Sequence, residues 1–171
     1  MKDFDLNRRD VLMSSLFAAF SLGVTKVLGS PLNPEQTIIR GPDKLEWKSS
    51  PDYPEKSVDR YMLTGDINSP GLYYTLVRWW PGYMSAPHTY TTDRFCMVLS
   101  GIWWCNSGPD FDPASCEPVE AGSFVRRVAG TPHYDGVIAT GPEPAVIAIC
   151  GMGPVNHKLV DPSKPSWRRA L

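Results

Sequence analysis

The chain has 171 residues, 42% of them hydrophobic and 20% charged, with a formal net charge of −1. That is enough chain for one domain with its own core, and the near-neutral balance excludes a nucleic-acid-binding surface. The 17 prolines and 14 glycines point to short strands joined by tight turns.

The first 29 residues read differently from the rest. Arg8 and Arg9 precede the apolar stretch VLMSSLFAAFSLGV, with Asp10 and Met13 beside them. Adjacent arginines before an apolar run of this length resemble a twin-arginine export signal; an amphipathic helix or a retained anchor is the other reading. Cleavage is expected after Gly29, because Pro31 disfavours a cut after Ser30. Removing Lys2, Arg8, Arg9 and Lys26 with Asp3, Asp5 and Asp10 leaves 13 basic and 15 acidic residues, a net charge near −2. The resemblance implies a periplasmic protein carried across the membrane already folded, so a cofactor could be loaded beforehand. No run in the mature part reaches the length of a bilayer span.

Residues 30–57 are rich in proline and polar groups and read as an extended arm, with Trp47 packing on the domain. From residue 58 to 155, apolar and β-branched runs alternate with turn residues: VDRYMLTGD, LYYTLVRWW, RFCMVLSGIWWC, GSFVRRV and AVIAICGMG. No helical periodicity follows the signal, so the spacing predicts an all-β antiparallel barrel or sandwich of six to eight strands. Residues 156–171 read as a surface tail.

Cys96, Cys105, Cys116 and Cys150 contain no C-x-x-C pair, which argues against a zinc ribbon or a thioredoxin-like site. Cys105 and Cys116 flank a ten-residue loop, NSGPDFDPAS. An oxidising compartment would let them form a disulfide worth about 2–3 kcal/mol. Cys96 and Cys150 lie in apolar strands and read as buried thiols.

The chemistry concentrates in PHTYTTDR, residues 87–94. Gly82 is followed by five residues and His88; Tyr90 comes two later, Arg94 after three more, and Gly101 after a further six. Twenty residues on, Gly122 is followed by five residues, Val128-Ala129-Gly130, two residues and His133. These two stretches resemble the paired motifs of the cupin superfamily, over residues 58–153. The resemblance implies a single-domain, jelly-roll-like antiparallel cupin barrel, a homodimer formed through edge strands, and a site inside the barrel. Tyr90 stands where the family's motif has its second histidine, and Arg94 where it has a carboxylate.

Independently of the family, residues two apart on a strand share a face. His88, Tyr90 and Arg94 are therefore expected to point together into the interior, with His133 arriving from another strand. Two chemistries remain open. His88 and His133, with Tyr90 as a candidate third donor and Cys96 as a soft one, would hold iron, copper or zinc. The permanently charged Arg94 beside them would repel that cation. Alternatively, Arg94 clamps a carboxylate or phenolate, while His88, Tyr90 and His133 supply hydrogen bonds and proton transfer. About half of Trp79, Trp80, Trp103 and Trp104 would then line the cavity, one ring of each adjacent pair on each face.

Of Arg126 and Arg127, one is expected to face solvent. His157 is expected to be exposed in the tail. Asp93 and Asp135 read either as groups that orient a histidine or as turn residues. The function classes left are an enzyme on a small organic molecule, a periplasmic binding or sensing protein, and a structural dimer with a filled barrel.

Overall fold

The computed structural model describes residues 38 and 40–171; the export-signal reading of residues 1–29 falls outside the described residues. Thirteen strands occur in chain order: β1 Lys48–Ser49, β2 Val58–Thr64, β3 Gly71–Trp79, β4 Tyr83–Ser85, β5 His88–Thr89, β6 Arg94–Ser100, β7 Ile102–Ser107, β8 Glu117–Glu120, β9 Phe124–Arg127, β10 His133–Val137, β11 Ala145–Gly153, β12 Lys158–Leu159 and β13 Trp167–Arg169. All pairings among them are antiparallel.

The strands form two facing sheets. The first runs β1-β2-β3-β11-β6-β9, and the second β12-β5-β10-β4-β13, with β7 joining β10 to β8. The fold class is the all-β, jelly-roll-like one expected, but the sheets do not close into a barrel, and the strands exceed the predicted six to eight. The chain changes sheets at tight corners rather than by continuing a strand across the gap. At the β6–β7 corner, Gly101 has a φ of 70°. A Cβ there would lie 2.5 Å from the Pro144 carbonyl oxygen, so only glycine fits both the conformation and the space.

Alternation along the long strands builds the core. On β3, Tyr73, Thr75, Val77 and Trp79 are buried between the sheets, while Leu72 and Tyr74 face out. On β6, Cys96 and Val98 turn inward, and Phe95, Met97 and Leu99 outward. Ile147 and Ile149 of β11 complete the inner layer with Trp103 and Val137 from the second sheet. The outer face of the first sheet therefore displays Leu72, Tyr74, Phe95, Met97, Phe124 and Met152 to solvent, with the Phe95 and Phe124 rings stacked at 6.5 Å.

The ends of the described chain are tied in. Arg78 lies between the rings of Trp47 and Trp80, at 4.4 and 5.0 Å, and donates from Nε and Nη2 to Asp59 at 3.0 and 2.7 Å. Residues 156–171 are not a surface tail. They supply β12 and β13, and Ala170 is fully buried with its N–H donating to the Gly82 carbonyl.

The Cys105–Cys116 disulfide does not form; all four cysteines are free thiols. Strand parity explains this. Cys105 pairs with Glu117 across β7–β8 and points into the main core, whereas Cys116 packs in a second cluster with Met84 and Tyr134. The neighbouring Asn106 side chain donates to Ser115 Oγ at 2.6 Å and fixes the loop in that orientation. Burial raises both thiols, Cys116 to about 11.

Candidate functional site

A cavity of about 540 Å³ lies between the two sheets. Its apolar wall is Val77, Trp79, Cys96, Trp103 and Ile149, and its polar wall includes Tyr73, His88, Tyr90, Arg94, Arg127 and Asp135. Residues 48 and 50–53 of the arm, and Val155, His157 and Leu159 near the C-terminus, line its outer part. Of the four tryptophans near the motif, Trp79 and Trp103 face the cavity, as the one-in, one-out pattern predicts. Trp80 instead turns outward to donate to Asp59 at 2.8 Å.

His88 and His133 are direct cross-strand partners on β5 and β10. Their rings lie 4.5 Å apart, and Tyr90 stands 4.7 Å from the first and 5.5 Å from the second. His88 lines the cavity; His133 is buried behind it and is not among the lining residues. Arg94 is reached by a route the sequence did not show. β5 belongs to the second sheet and β6 to the first, so His88, Tyr90 and Arg94 do not share one strand. They converge because both inner faces look into the same space: the Arg94 guanidinium carbon is 4.3 Å from the centre of the Tyr90 ring.

Each buried histidine is held in one tautomer. His88 Nδ1 is 2.7 Å from the Ala86 carbonyl oxygen, and His133 Nδ1 is 2.9 Å from that of Thr131. A carbonyl only accepts, so both Nδ1 atoms carry the proton and both Nε2 atoms offer a lone pair. Neither Nε2 has a partner. Burial, and then the neighbouring His133, pushes His88 down to about 3; burial also lowers His133 and His157. All three imidazoles are neutral at pH 7.

The charged groups are unevenly matched. Asp135 accepts from Trp103 Nε1 at 3.2 Å and from Arg127 Nη2 at 3.3 Å. Burial pushes this carboxyl up, but Arg127, His133, His88 and Arg94 outweigh it and hold it below the usual carboxylate range. Arg127 is further fixed by donating to the Asn106 carbonyl at 3.1 Å. Arg94, its cross-strand neighbour on β6, has no carboxylate partner among the described residues. Burial lowers the guanidinium and the Tyr90, Tyr73 and Cys96 sites raise it; the balance is upward, so it stays cationic.

Sequence reasoning missed His157, Tyr73 and the inward turn of Arg127. The outer side of His157 is exposed as expected, yet its ring lies 4.7 Å from His88 and 5.5 Å from Tyr90. The chain's three histidines thus meet at one place. No motif spacing marks His157, because the pairing of β12 with β5 brings it there. Asp93 has a turn role: it accepts from the Ala129 N–H at 2.8 Å and pairs with the exposed Arg126.

A resident divalent metal, the expectation carried by His88 and His133, does not fit this donor set. The unpartnered Nε2 atoms are suitable ligands and His157 lies beside His88, but although the three rings are neighbours, no three His, Cys, Asp or Glu side chains among the described residues are arranged to hold a cation. Asp135 is committed to Arg127 and Trp103. Burial raises the Cys96 thiol to about 11, so it supplies no thiolate. The Arg94 cation beside Tyr90 repels a second positive charge.

The three imidazoles set a pH response. Because their folded-state pKa values lie below the ordinary 6.5, the unfolded chain takes up protons first as the pH falls. The stability they contribute is complete above about 6.5 and is lost toward about 3, the value for His88. For His88 alone the slope reaches about 1.4 kcal/mol per pH unit. Thermal melts at pH 7 and 5 should show a clear fall in midpoint that His88→Asn reduces. Equal wild-type midpoints at the two pH values would mean that the imidazoles are not held neutral.

No protein-family model and no curated protein matches the sequence. Solved structures do. A polyketide cyclase, RemF from Streptomyces resistomycificus, superposes with a TM-score of 0.63 at 14% identity, covering 77% of this chain and 90% of that one. A cupin-2 domain protein from Rhodospirillum rubrum gives 0.55 at 18% identity, covering 78% and 86%. A cupin 2 conserved barrel domain protein from Rhodopseudomonas palustris gives 0.53 at 16%, covering 71% and 83%. At such identities the likeness is one of fold.

Proposed function

We propose that this cupin-fold protein binds a small organic anion in the cavity between its sheets. The observation that carries the reading is Arg94, a half-buried guanidinium on the cavity wall with no carboxylate partner among the described residues. An unpaired charge withdrawn from water is costly, and an anionic ligand relieves that cost with a forked, charge-assisted contact. The flat apolar wall of Trp79 and Trp103 suits a ring.

Binding without turnover is the better-supported form of this function. A general base works best with a pKa near the working pH, and His88 at about 3 is far below it. The second reading, acid–base catalysis, is favoured by the free His88 Nε2 lone pair beside Tyr90 and by the polyketide cyclase among proteins of this fold. The test is a titration of aromatic carboxylates, starting with benzoate and its neutral amide, read by the change in tryptophan fluorescence to which the cavity-facing Trp79 and Trp103 contribute. Benzoate should bind at least about tenfold more tightly than benzamide, and Arg94→Lys should lose most of that preference. Equal affinity for acid and amide would end the reading.

The exposed apolar outer face of the first sheet, bounded by the open edge strand β9, is the surface a homodimer would cover. Light scattering at micromolar concentration should give twice the chain mass; a monomeric mass removes the dimer.

A further inference from the structure

Four polar atoms on the cavity wall have no partner: Tyr73 OH, Arg94 Nε, Arg127 Nε and His88 Nε2. They are not alike. The two guanidinium Nε atoms are donors, and the Tyr73 hydroxyl, with Arg94 beside it, both donates and accepts. Arg127 Nε is a fixed donor, since its other nitrogens are held by Asn106, Tyr134 and Asp135. His88 Nε2 is an acceptor, because the Ala86 carbonyl keeps the ring proton on Nδ1. Solvent does not reach these atoms, so a ligand packed against this wall is the group that can meet their hydrogen bonds.

A bare carboxylate meets only part of this demand. Its oxygens satisfy the guanidinium and phenol donors, but an oxygen placed against His88 Nε2 would set lone pair against lone pair. An unmet buried acceptor is expensive, and the side chain is 3% exposed. The complementary group is a ligand N–H or O–H. A ligand ammonium is disfavoured, because Lys48, Arg60, Arg94 and Arg127 outweigh Asp52 and Asp135 among the lining residues.

We infer that the ligand is a hydroxylated ring acid, whose acid group meets Arg94 and whose hydroxyl donates to His88 Nε2. This rests on the anion reading above and adds a second polar group of defined sense. The acid is set by Arg94 of β6 and the hydroxyl by His88 of β5, so both sheets contact the one molecule. Tyr73 and Arg127 supply further donors to whichever acceptor oxygen lies between.

The experiment compares benzoate, its three monohydroxy isomers, the corresponding methoxy ethers and benzamide on the wild-type protein by titration calorimetry. At least one hydroxybenzoate should bind about tenfold or more tightly than both benzoate and its own methoxy ether, because a site built around a hydroxyl penalises analogues that lack the proton. His88→Phe should erase that ratio, and His88→Gln, whose side-chain oxygen accepts, should keep part of it. If hydroxy and methoxy acids bind alike while acid and amide still differ, this inference fails and anion binding stands. If acid and amide bind alike, both fall. The wild-type panel decides the matter even where a His88 variant does not fold.

Discussion

Arg94→Met should abolish the preference for benzoate over benzamide and, at the same time, make the protein more stable. The two effects have one cause. The guanidinium is half-buried on the cavity wall without a counter-carboxylate among the described residues, and its Tyr90 contact at 4.3 Å returns only about 0.5–2 kcal/mol. Replacing a half-buried charge that lacks a carboxylate partner with an apolar chain of similar reach stabilises by about 0.5–2 kcal/mol. A domain of this size gains roughly 2–4 °C in melting midpoint per kcal/mol. Arg94→Lys keeps the charge and loses the fork, so it should weaken binding without the gain in midpoint. Thermal melts beside the benzoate titration check both halves. A lower midpoint for Arg94→Met would show that the guanidinium is already compensated, and would remove the basis of the anion reading.

Asp135→Asn should do the opposite. Asp135 and Arg127 form a buried pair, with side chains 13% and 8% exposed and 3.3 Å between Oδ2 and Nη2. Removing one charge leaves the other buried and unpaired, which costs about 3–5 kcal/mol, or roughly 6–20 °C in midpoint. Trp103 Nε1 also loses a charged acceptor. The double substitution Arg127→Met with Asp135→Leu should recover a large part of the loss, since it removes both charges together. Because Asp135 is held below the ordinary carboxylate range, its contribution is complete above about pH 3.9 and disappears only as the pH falls through the lower folded value. The acid response between pH 7 and 5 is therefore that of the imidazoles. A single-site loss of under about 1 kcal/mol would show that Arg127 finds another partner.

Much of this protein is legible locally. The alternation in β3, β6 and β11, the glycines at corners such as Gly101, and the spacing around His88 and His133 determine an all-β antiparallel fold with these residues brought close together. They do so because strand parity and positive-φ turns are properties of a few neighbouring residues. The split of Trp79 and Trp103 from Trp80 follows from the same rule, and so does the burial of one of Arg126 and Arg127. Which arginine turns inward was not legible, because inward and outward have no meaning until β9 is registered against β6.

The tertiary structure decided what depends on register between distant segments. The two-residue strands β5 and β12 are too short to carry a pattern of their own, yet they bring His157 over His88. The sequence spacing of Cys105 and Cys116 suits a disulfide, but the β7–β8 pairing sends their side chains to different clusters. Arg94 meets Tyr90 by a crossing between sheets, not along one strand. His133 stands behind His88 rather than on the cavity wall. Whether a charged side chain finds a partner is likewise a long-range matter: Arg127 meets Asp135 and Arg94 meets none, because β10 reaches the first arginine and no carboxylate-bearing strand reaches the second.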